Sequence, residues 1–376
     1  MTRVRDWLRS QNLPTGARAP SERQIVEGVG LSRPTVRKVL RQLEAEGWLQ
    51  AVSPRVRTTT EWCRAVYNSN SNNIAVVTRV VDAQINPAQR QWMLNRMVSG
   101  IARAAAEREL NSLLLNPAAT VPDTVARFTR DPPRGALFLW DAEQTPLGML
   151  PLVQELARRG LPLVVQPDTV PASRIEGLAC DQVRSDHCSG CRELTQWLIR
   201  RGKRRMLRLW SLPARPEDQP IWSVERHRGH EAACAEAGIE PLPVIWVPHV
   251  PMIWEEEGFR TSCRVNAGFL IEPLKQGIDA ILVPSEEHVF IAAGACRLLG
   301  LEPQRDVLIV GYDHFWETAA TRRFEPSVPP ATVDKQEERI AAEMLVLLLA
   351  RCSGKLPPEP QQRLVAPRLV ETATPS

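Results

Sequence analysis

The sequence predicts an α/β body of parallel sheets carrying a small helix-turn-helix head at its N-terminus. Three observations predict it. From Asn73 onward, short apolar runs without polar alternation recur between amphipathic helical stretches, and strands of that kind are buried on both faces by helices. Residues 20–49 read as two short helices joined by a glycine-containing turn, the second bearing Arg33, Thr35, Arg37 and Arg41. The length of 376 residues suits a small domain plus a larger one.

The head follows residue by residue. Pro20 and Ser21 stop the preceding segment, and Gln24 stands three residues after Ser21, as in a capping box. Ile25, Val26 and Val29 give the first helix an apolar side, and Gly30 ends it. Ser32 is placed to cap the second helix, with Pro34 in its first turn, where no backbone donor is needed. Val36, Val39, Leu40 and Leu43 form one buried stripe at i, i+3, i+4, i+7. Arg33, Arg37 and Arg41 repeat every four residues on another face, which leaves a cationic, hydrogen-bonding surface suited to the DNA major groove. Gly47 closes the helix, and Trp48 to Thr60 reads as a β-hairpin wing with Arg55 and Arg57 in or near its turn.

Charge supports this division. The chain carries +4 overall, yet through residue 66 there are twelve cations and six anions, so the head holds +6 and the remainder −2. The basic surplus lies where phosphate neutralisation requires it. No apolar h-region opens the chain and no apolar run reaches membrane-spanning length, so a cytoplasmic protein is expected. The eight cysteines are scattered, which suits reduced thiols rather than a disulfide frame. Cys188 and Cys191 form one C-x-x-C beside His187, without a second pair at zinc spacing; packing cysteines are expected, with no metal and no cofactor.

In the body, strands are expected at 74–77, 112–115, 135–140, 161–165, 206–210, 280–283 and 307–310, and helices at 92–108, 147–159 and 192–201. The polar residues 66–73 read as a tether. Parallel sheets bind ligands beyond the carboxyl ends of their strands. The candidates are therefore Thr78 to Asp82, Asp141, Asp181, Trp222 to Arg226, Ser285 with Glu286, and Asp313. Trp222 and Trp254 are read as loop residues of the same region. A flat apolar ring beside hydrogen-bonding side chains suits a sugar.

Two resemblances add to these readings. Pro20 to Arg23, Ser32 to Arg37 and Leu43 to Gly47 are similar to the Pro-Ser-Glu-Arg, Ser-Arg-x-Thr-Val-Arg and Leu-Glu-x-Glu-Gly runs of the GntR family of winged helix-turn-helix regulators. That resemblance implies DNA contacts from Arg23, Ser32, Arg33, Thr35 and Arg37. The family's wing tip is glycine-rich and enters the minor groove; here it is Ser53, Pro54 and Arg55, and Arg55 is the candidate contact. The body resembles the effector domain of LacI-type repressors, which share the type I periplasmic-binding-protein fold. The matching segments are Arg226 to Gly229, Ala235 to Ile239, Ala280 to Glu286, Val307 to Asp313 and Pro330 to Gln336. The resemblance implies effector contacts from Arg226 and Asp313 and stacking from an aromatic near Trp254. Ser285 and Glu286 stand where that family has Asn-Asp. A GntR-type head on a LacI-type body is the architecture of AraR-like regulators.

The expected organisation is a head at 1–65, a tether at 66–73 and a body at 74–376. The body would divide into 74–186 with 330–350, and 187–329 with the C-terminus, crossed by the chain near 183–189, 325–330 and 350–365. The expected function is ligand-responsive transcription regulation, as a repressor. A homodimer would read a palindromic DNA operator, and a small carbohydrate would alter its affinity. A sugar-binding protein without a regulatory role would need export, and the basic head opposes it. A GntR-headed enzyme with an aminotransferase-like body would need a cofactor lysine after a strand, and Lys275 has no such setting. An all-helical, metal-binding effector domain conflicts with the strand-helix alternation.

Overall fold

A computed structural model describes residues 2–11, 13–60, 71–78, 87–117, 120–139, 149–175, 178–212, 218–250 and 253–372. In the head, α1 (Thr2–Ser10), α2 (Glu22–Val29) and α3 (Arg33–Ala45) precede a hairpin of β1 (Leu49–Ser53) and β2 (Val56–Thr59). The capping box forms as expected, with Ser21 Oγ accepting from Gln24 N and the Gln24 side chain accepting from Ser21 N. Gly30 takes φ +67° and its N–H donates to Val26 O, so the chain turns into α3. Val36, Val39, Leu40 and Leu43 are all buried and join Val4, Leu8, Ile25 and Trp48 in one cluster. Ser32 differs in detail: it stands at the cap position, but its hydroxyl pairs with Thr35 Oγ1 at 2.8 Å instead of capping the helix. The head also touches the body, where Trp48 Nε1 donates to Arg159 O at 2.8 Å.

The body contains two parallel sheets. The first has the order β13 (Gln362–Val365), β7 (Asp181–Ser185), β6 (Leu163–Gln166), β5 (Gly135–Leu139), β3 (Asn73–Val77), β4 (Asn111–Leu115). Its strands alternate between two helical layers. Ile74, Val76, Leu137, Leu139 and Val164 pack under α4 (Pro87–Ala106) and α12 (Glu337–Cys352). Ala75, Val77, Ala136, Phe138 and Val165 pack under α5 (Val121–Arg130) and α6 (Leu150–Arg158). Because both faces are covered, every residue of β5 is buried, as the unalternating run Gly135 to Leu139 anticipates.

The second sheet has the order β11 (Leu308–Val310), β10 (Ala280–Leu282), β8 (Met206–Ser211), β9 (Ile245–Val247). On one face lie α10 (Glu256–Lys275) and α11 (Glu286–Leu298). On the other lie α8 (His187–Arg200) and α9 (Ile221–Glu236). The one-turn helix α7 (Ala172–Ile175) follows β6. An antiparallel ribbon of β12 (Ala331–Asp334) and β14 (Arg368–Glu371) completes the chain's crossings between the sheets. Gly229 shows how tightly α9 meets α8: a Cβ there would stand 2.1 Å from Cys188 O.

The helices begin elsewhere than the sequence suggests. α8 starts at His187 rather than at 192, with Asp186 capping it by accepting from Ser189 N at 2.9 Å. Trp222 to Arg226, expected in a loop, form the first turns of α9. Asp181, expected after a strand, lies at the first residue of β7, where it accepts from Arg351 and from Gln361 N. It therefore sits at the opposite end of that strand from a ligand-facing position.

Candidate DNA-reading face and effector site

On the head, Arg23, Ser32, Arg33, Thr35 and Arg37 are all exposed, as are Lys38 and Arg41. The stripe Val36, Val39, Leu40, Leu43 turns inward, so the arginines of α3 have only the outside to occupy. Arg37 donates from Nε and Nη2 to Glu22 at 3.2 and 3.0 Å, and Arg33 Nε donates to the same carboxylate at 3.3 Å. Arg23 pairs with Glu27 at 2.9 Å, one helical turn on. Arg55 is exposed at the hairpin tip. Arg57 turns back to Glu44 and serves the wing's attachment to α3.

The second site forms where the carboxyl ends of the two sheets meet. Asp168 follows β6 of the first sheet, and Asp313 follows β11 of the second. Between them stand His187 at the start of α8, Arg226 in the second turn of α9 and Lys335 after β12. The contacts run as a chain. His187 Nε2 lies 3.2 Å from Asp168 Oδ2, and Arg226 Nε donates to His187 Nδ1 at 3.4 Å. Arg226 Nη2 reaches Asp313 at 3.3 Å, and Lys335 Nζ reaches the same oxygen at 3.0 Å. Arg226 Nη1 donates to Pro284 O at 2.7 Å. Its guanidinium lies 3.5 Å from the Tyr312 ring centroid and 4.7 Å from that of Trp222, within cation–π range of both.

Asp168, His187, Arg226 and Lys335 are buried, and the Asp313 side chain is 16% exposed. Burial lowers the pKa of His187, with Arg226 and Lys335 opposing its protonation, although Asp168 pulls the other way. The imidazole is therefore neutral. Since Nδ1 accepts from Arg226, the proton is on Nε2, facing Asp168. Burial works against the charge on Asp313, but Lys335 and Arg226 outweigh it and hold its carboxyl below the usual value. Lys335 is likewise held above its usual value, because Asp313 and Glu337 outweigh burial. The backbone is strained at the same place. Asp313, His314 and Gln336 take φ of +95°, +58° and +65°, a region that non-glycine residues avoid unless the surroundings enforce it. Asp168 Oδ1, the Tyr312 hydroxyl and both Glu337 oxygens are buried without a hydrogen-bond partner among the described residues.

The remaining sequence candidates are distributed as follows. Glu286 is fully buried and its carboxyl accepts from His314 N at 3.0 Å, Phe315 N at 3.4 Å and the Thr332 hydroxyl. Burial first, and then Asp313, pushes it up to about 8, and its hydrogen bonds from His314 N and Phe315 N brace the loop that carries Asp313. Ser285 Oγ pairs with His288 Nδ1 at 2.9 Å. Trp254 is partly buried against the cluster of Ile253, Phe259 and Phe315, and its carbonyl accepts from Arg323. The aromatic rings against Arg226 are Trp222 and Tyr312. Asp141 and residues 79–82 lie outside the described residues. Sequence reasoning passed over Asp168, His187 and Lys335. Asp168 obeys the strand-end rule that found the others, His187 enters the sequence reading only as a neighbour of Cys188, and Lys335 lies in the matching segment Pro330 to Gln336 with no role assigned to it. Cys191 is a core residue, its thiol pushed up to about 11 by burial.

Residues 1–58 match the family model of bacterial regulatory proteins, gntR family, and residues 195–374 match that of the periplasmic binding protein-like domain. An arabinose metabolism transcriptional repressor of Geobacillus stearothermophilus is 24% identical over 354 residues, covering 93% of this chain and 90% of the relative. The solved transcriptional regulator CelR in complex with cellobiose is 21% identical, covers 94% of this chain and 98% of its own, and has a TM-score of 0.59. A regulatory protein of the LacI family from Chloroflexus aggregans is 21% identical, covers 80% and 98%, and has a TM-score of 0.60. The chain thus joins a helix-turn-helix head of the gntR type to a body with the periplasmic binding protein-like fold.

Proposed function

We propose that the protein is a sequence-specific transcription regulator, acting as a repressor, whose grip on DNA is set by a small carbohydrate bound between the two sheets of its body. The observation that carries this reading is the chain Asp168–His187–Arg226–Asp313–Lys335, which joins the carboxyl ends of both sheets. It presents alternating donors and acceptors beside the rings of Trp222 and Tyr312. A sugar has the same division into an apolar face and a polar rim, and one of its hydroxyls would satisfy Asp168 Oδ1. Arg226, Asp313, Ser285 and Glu286 act there from the second sheet, and Trp254 and Asp141 are further candidate contacts on the ground of the sequence alone. The names of the relatives support the class, since one is a repressor of arabinose metabolism and another was solved with cellobiose.

The head supplies Arg23, Ser32, Arg33, Thr35, Arg37 and Arg55 to a duplex. Two copies pair through their bodies and set two recognition helices on successive major-groove faces of a palindromic operator. The working boundaries are 1–65 for the head, 66–73 for the tether and 74–376 for the body, divided into 74–186 with 330–350 and 187–329 with the C-terminus. Closure of the sheets around the sugar changes head spacing, and its effect on DNA affinity equals the sugar's differential affinity for the two states, about 1–3 kcal/mol. The chain acts by binding rather than by catalysis, and reading a genome places it in the cytoplasm. Selection of duplexes from a random library by the purified full chain tests the head, with a two-fold-symmetric motif expected. A thermal-shift screen against mono- and disaccharides tests the body, with at least one stabilising sugar expected. No enriched motif refutes the first half, and no stabilising sugar refutes the second.

A further inference from the structure

The reading arginines of α3 are not free in the unbound head. Arg33 and Arg37 lie one helical turn apart, so both point the same way from α3. Both meet one carboxylate, Glu22, which belongs to a different helix. Arg37 engages it with two nitrogens, Nε on Oε1 at 3.2 Å and Nη2 on Oε2 at 3.0 Å, while Arg33 Nε holds Oε2 at 3.3 Å. The arrangement is asymmetric in exposure. The Glu22 side chain is 19% exposed, whereas Arg33 and Arg37 are 69% and 52% exposed. The carboxylate sits at the base of the face and the guanidiniums extend beyond it. The backbone of Glu22 is held in the first turn of α2, between the capping residues Ser21 and Gln24.

Two opposite consequences follow from elementary electrostatics. A carboxylate on a DNA-facing surface repels phosphates, so its removal should tighten binding to any duplex. A carboxylate that orders two flexible side chains lowers the ordering cost of binding, so its removal should weaken binding only where those side chains must read base edges. The geometry favours the second. Arg37 uses Nε and Nη2 on Glu22, which leaves Nη1 and the outer N–H groups of the fork directed away from the carboxylate, and Arg33 uses Nε alone. Each guanidinium therefore keeps donors for a guanine edge while its rotation is restricted.

We propose that Glu22 is a positioning residue for sequence reading: it aims Arg33 and Arg37 together from the floor of the DNA-facing surface and gives up some non-specific attraction in return for discrimination. This rests on the reading of the head as a DNA reader. The test uses the full chain, the duplex that the wild type enriches from a random library, and a scrambled duplex of equal length and composition. Binding of both is followed by fluorescence anisotropy across a salt series for the wild type, Glu22→Ala, Glu22→Gln and Glu22→Asp. Glu22→Ala and Glu22→Gln are expected to bind the enriched duplex about tenfold more weakly and the scrambled duplex as tightly as the wild type or more so. Glu22→Asp, which keeps the charge on a shorter arm, recovers part of the discrimination. Tightening on both duplexes overturns the proposal in favour of simple repulsion. Equal weakening on both, with no recovery by Glu22→Asp, overturns it in favour of a folding role. If the wild type enriches nothing, the reading of the head falls first; if it enriches a motif that the Glu22 variants bind unchanged, only this proposal falls.

Discussion

Lys335 Nζ lies 3.0 Å from Asp313 Oδ1 where the two sheets meet, with the Lys335 side chain buried and that of Asp313 16% exposed. Little water reaches either charge, so each depends on its partners, Asp313 on Lys335 and Arg226, and Lys335 on Asp313 and Glu337. Replacing Lys335 by Met leaves Asp313 with one cationic neighbour instead of two. Removing one partner of a buried pair typically costs about 3–5 kcal/mol, and Arg226 keeps the expected loss toward the lower end. The double variant Lys335→Met with Asp313→Asn should recover part of that loss in urea unfolding. Strictly additive losses would mean that the two side chains act independently.

Buried titrating groups give the folded protein a stability optimum between two opposing slopes. Burial pushes Glu286 up to about 8, so it stays protonated in the fold while the unfolded chain releases that proton above its ordinary value near 4.5. The unfolded state then binds fewer protons, and stability falls as pH rises from about 4.5 to about 8. His288 and His230 do the reverse. Burial lowers them to about 4 and about 3, so stability is fully present above their ordinary value of 6.5 and is lost as pH falls toward those values. Glu286→Gln should flatten the alkaline limb and leave the acid limb in place, as measured by denaturant midpoints across pH. An unchanged alkaline limb would remove Glu286 as its source.

Gly190 is the point at which α8 passes the Asp313 loop. A Cβ there would stand 2.2 Å from the Tyr312 hydroxyl and 2.8 Å from Pro367 Cγ. Gly190→Ala must displace a ring that is 2% exposed, and overpacking of this kind costs about 1–3 kcal/mol. The displaced ring also loses its place under Arg226, 3.5 Å away. A fall in the melting temperature together with a weakened sugar-induced shift is expected, and a variant as stable as the wild type would contradict the packing described.

Arg226→Lys separates charge from geometry. A lysine keeps the positive charge but cannot reach Pro284 O, His187 Nδ1 and Asp313 at once or lie flat between Trp222 and Tyr312. The variant should lose the thermal shift given by the stabilising sugar while binding the enriched duplex within about twofold of the wild type, since a twofold change is only about 0.4 kcal/mol. A retained sugar response would show that the guanidinium's forked contacts are dispensable.

How much of this was legible beforehand depended on whether the signal was local. The head was legible almost completely, because caps, a positive-φ glycine and an i, i+3, i+4, i+7 stripe are short-range, and Ile25, Val36, Leu40 and Leu43 are buried as that pattern requires. In the body, the strands with continuous apolar runs were found, as with Gly135 to Leu139. β7 was missed because it reads Asp-Gln-Val-Arg-Ser, and the partners of its charged residues, Arg351 for Asp181 and Glu225 for Arg184, are distant in sequence. β12, β13 and β14 were missed because they belong to crossings whose pairings span long stretches of chain. The effector site was half legible. Arg226, Asp313 and Lys335 stand in recognisable segments, whereas the roles of His187 and Lys335 arise only when the ends of two sheets are brought together.

On the proposed function, one chain reads DNA with its head and reports a sugar from its body. Operator affinity, measured by fluorescence anisotropy with the enriched duplex at fixed salt, tests it most directly when the stabilising sugar is titrated in. A change of about tenfold or more in dissociation constant, about 1.4 kcal/mol, absent in Arg226→Lys, is the predicted result. An affinity that does not move at saturating sugar would contradict the claim.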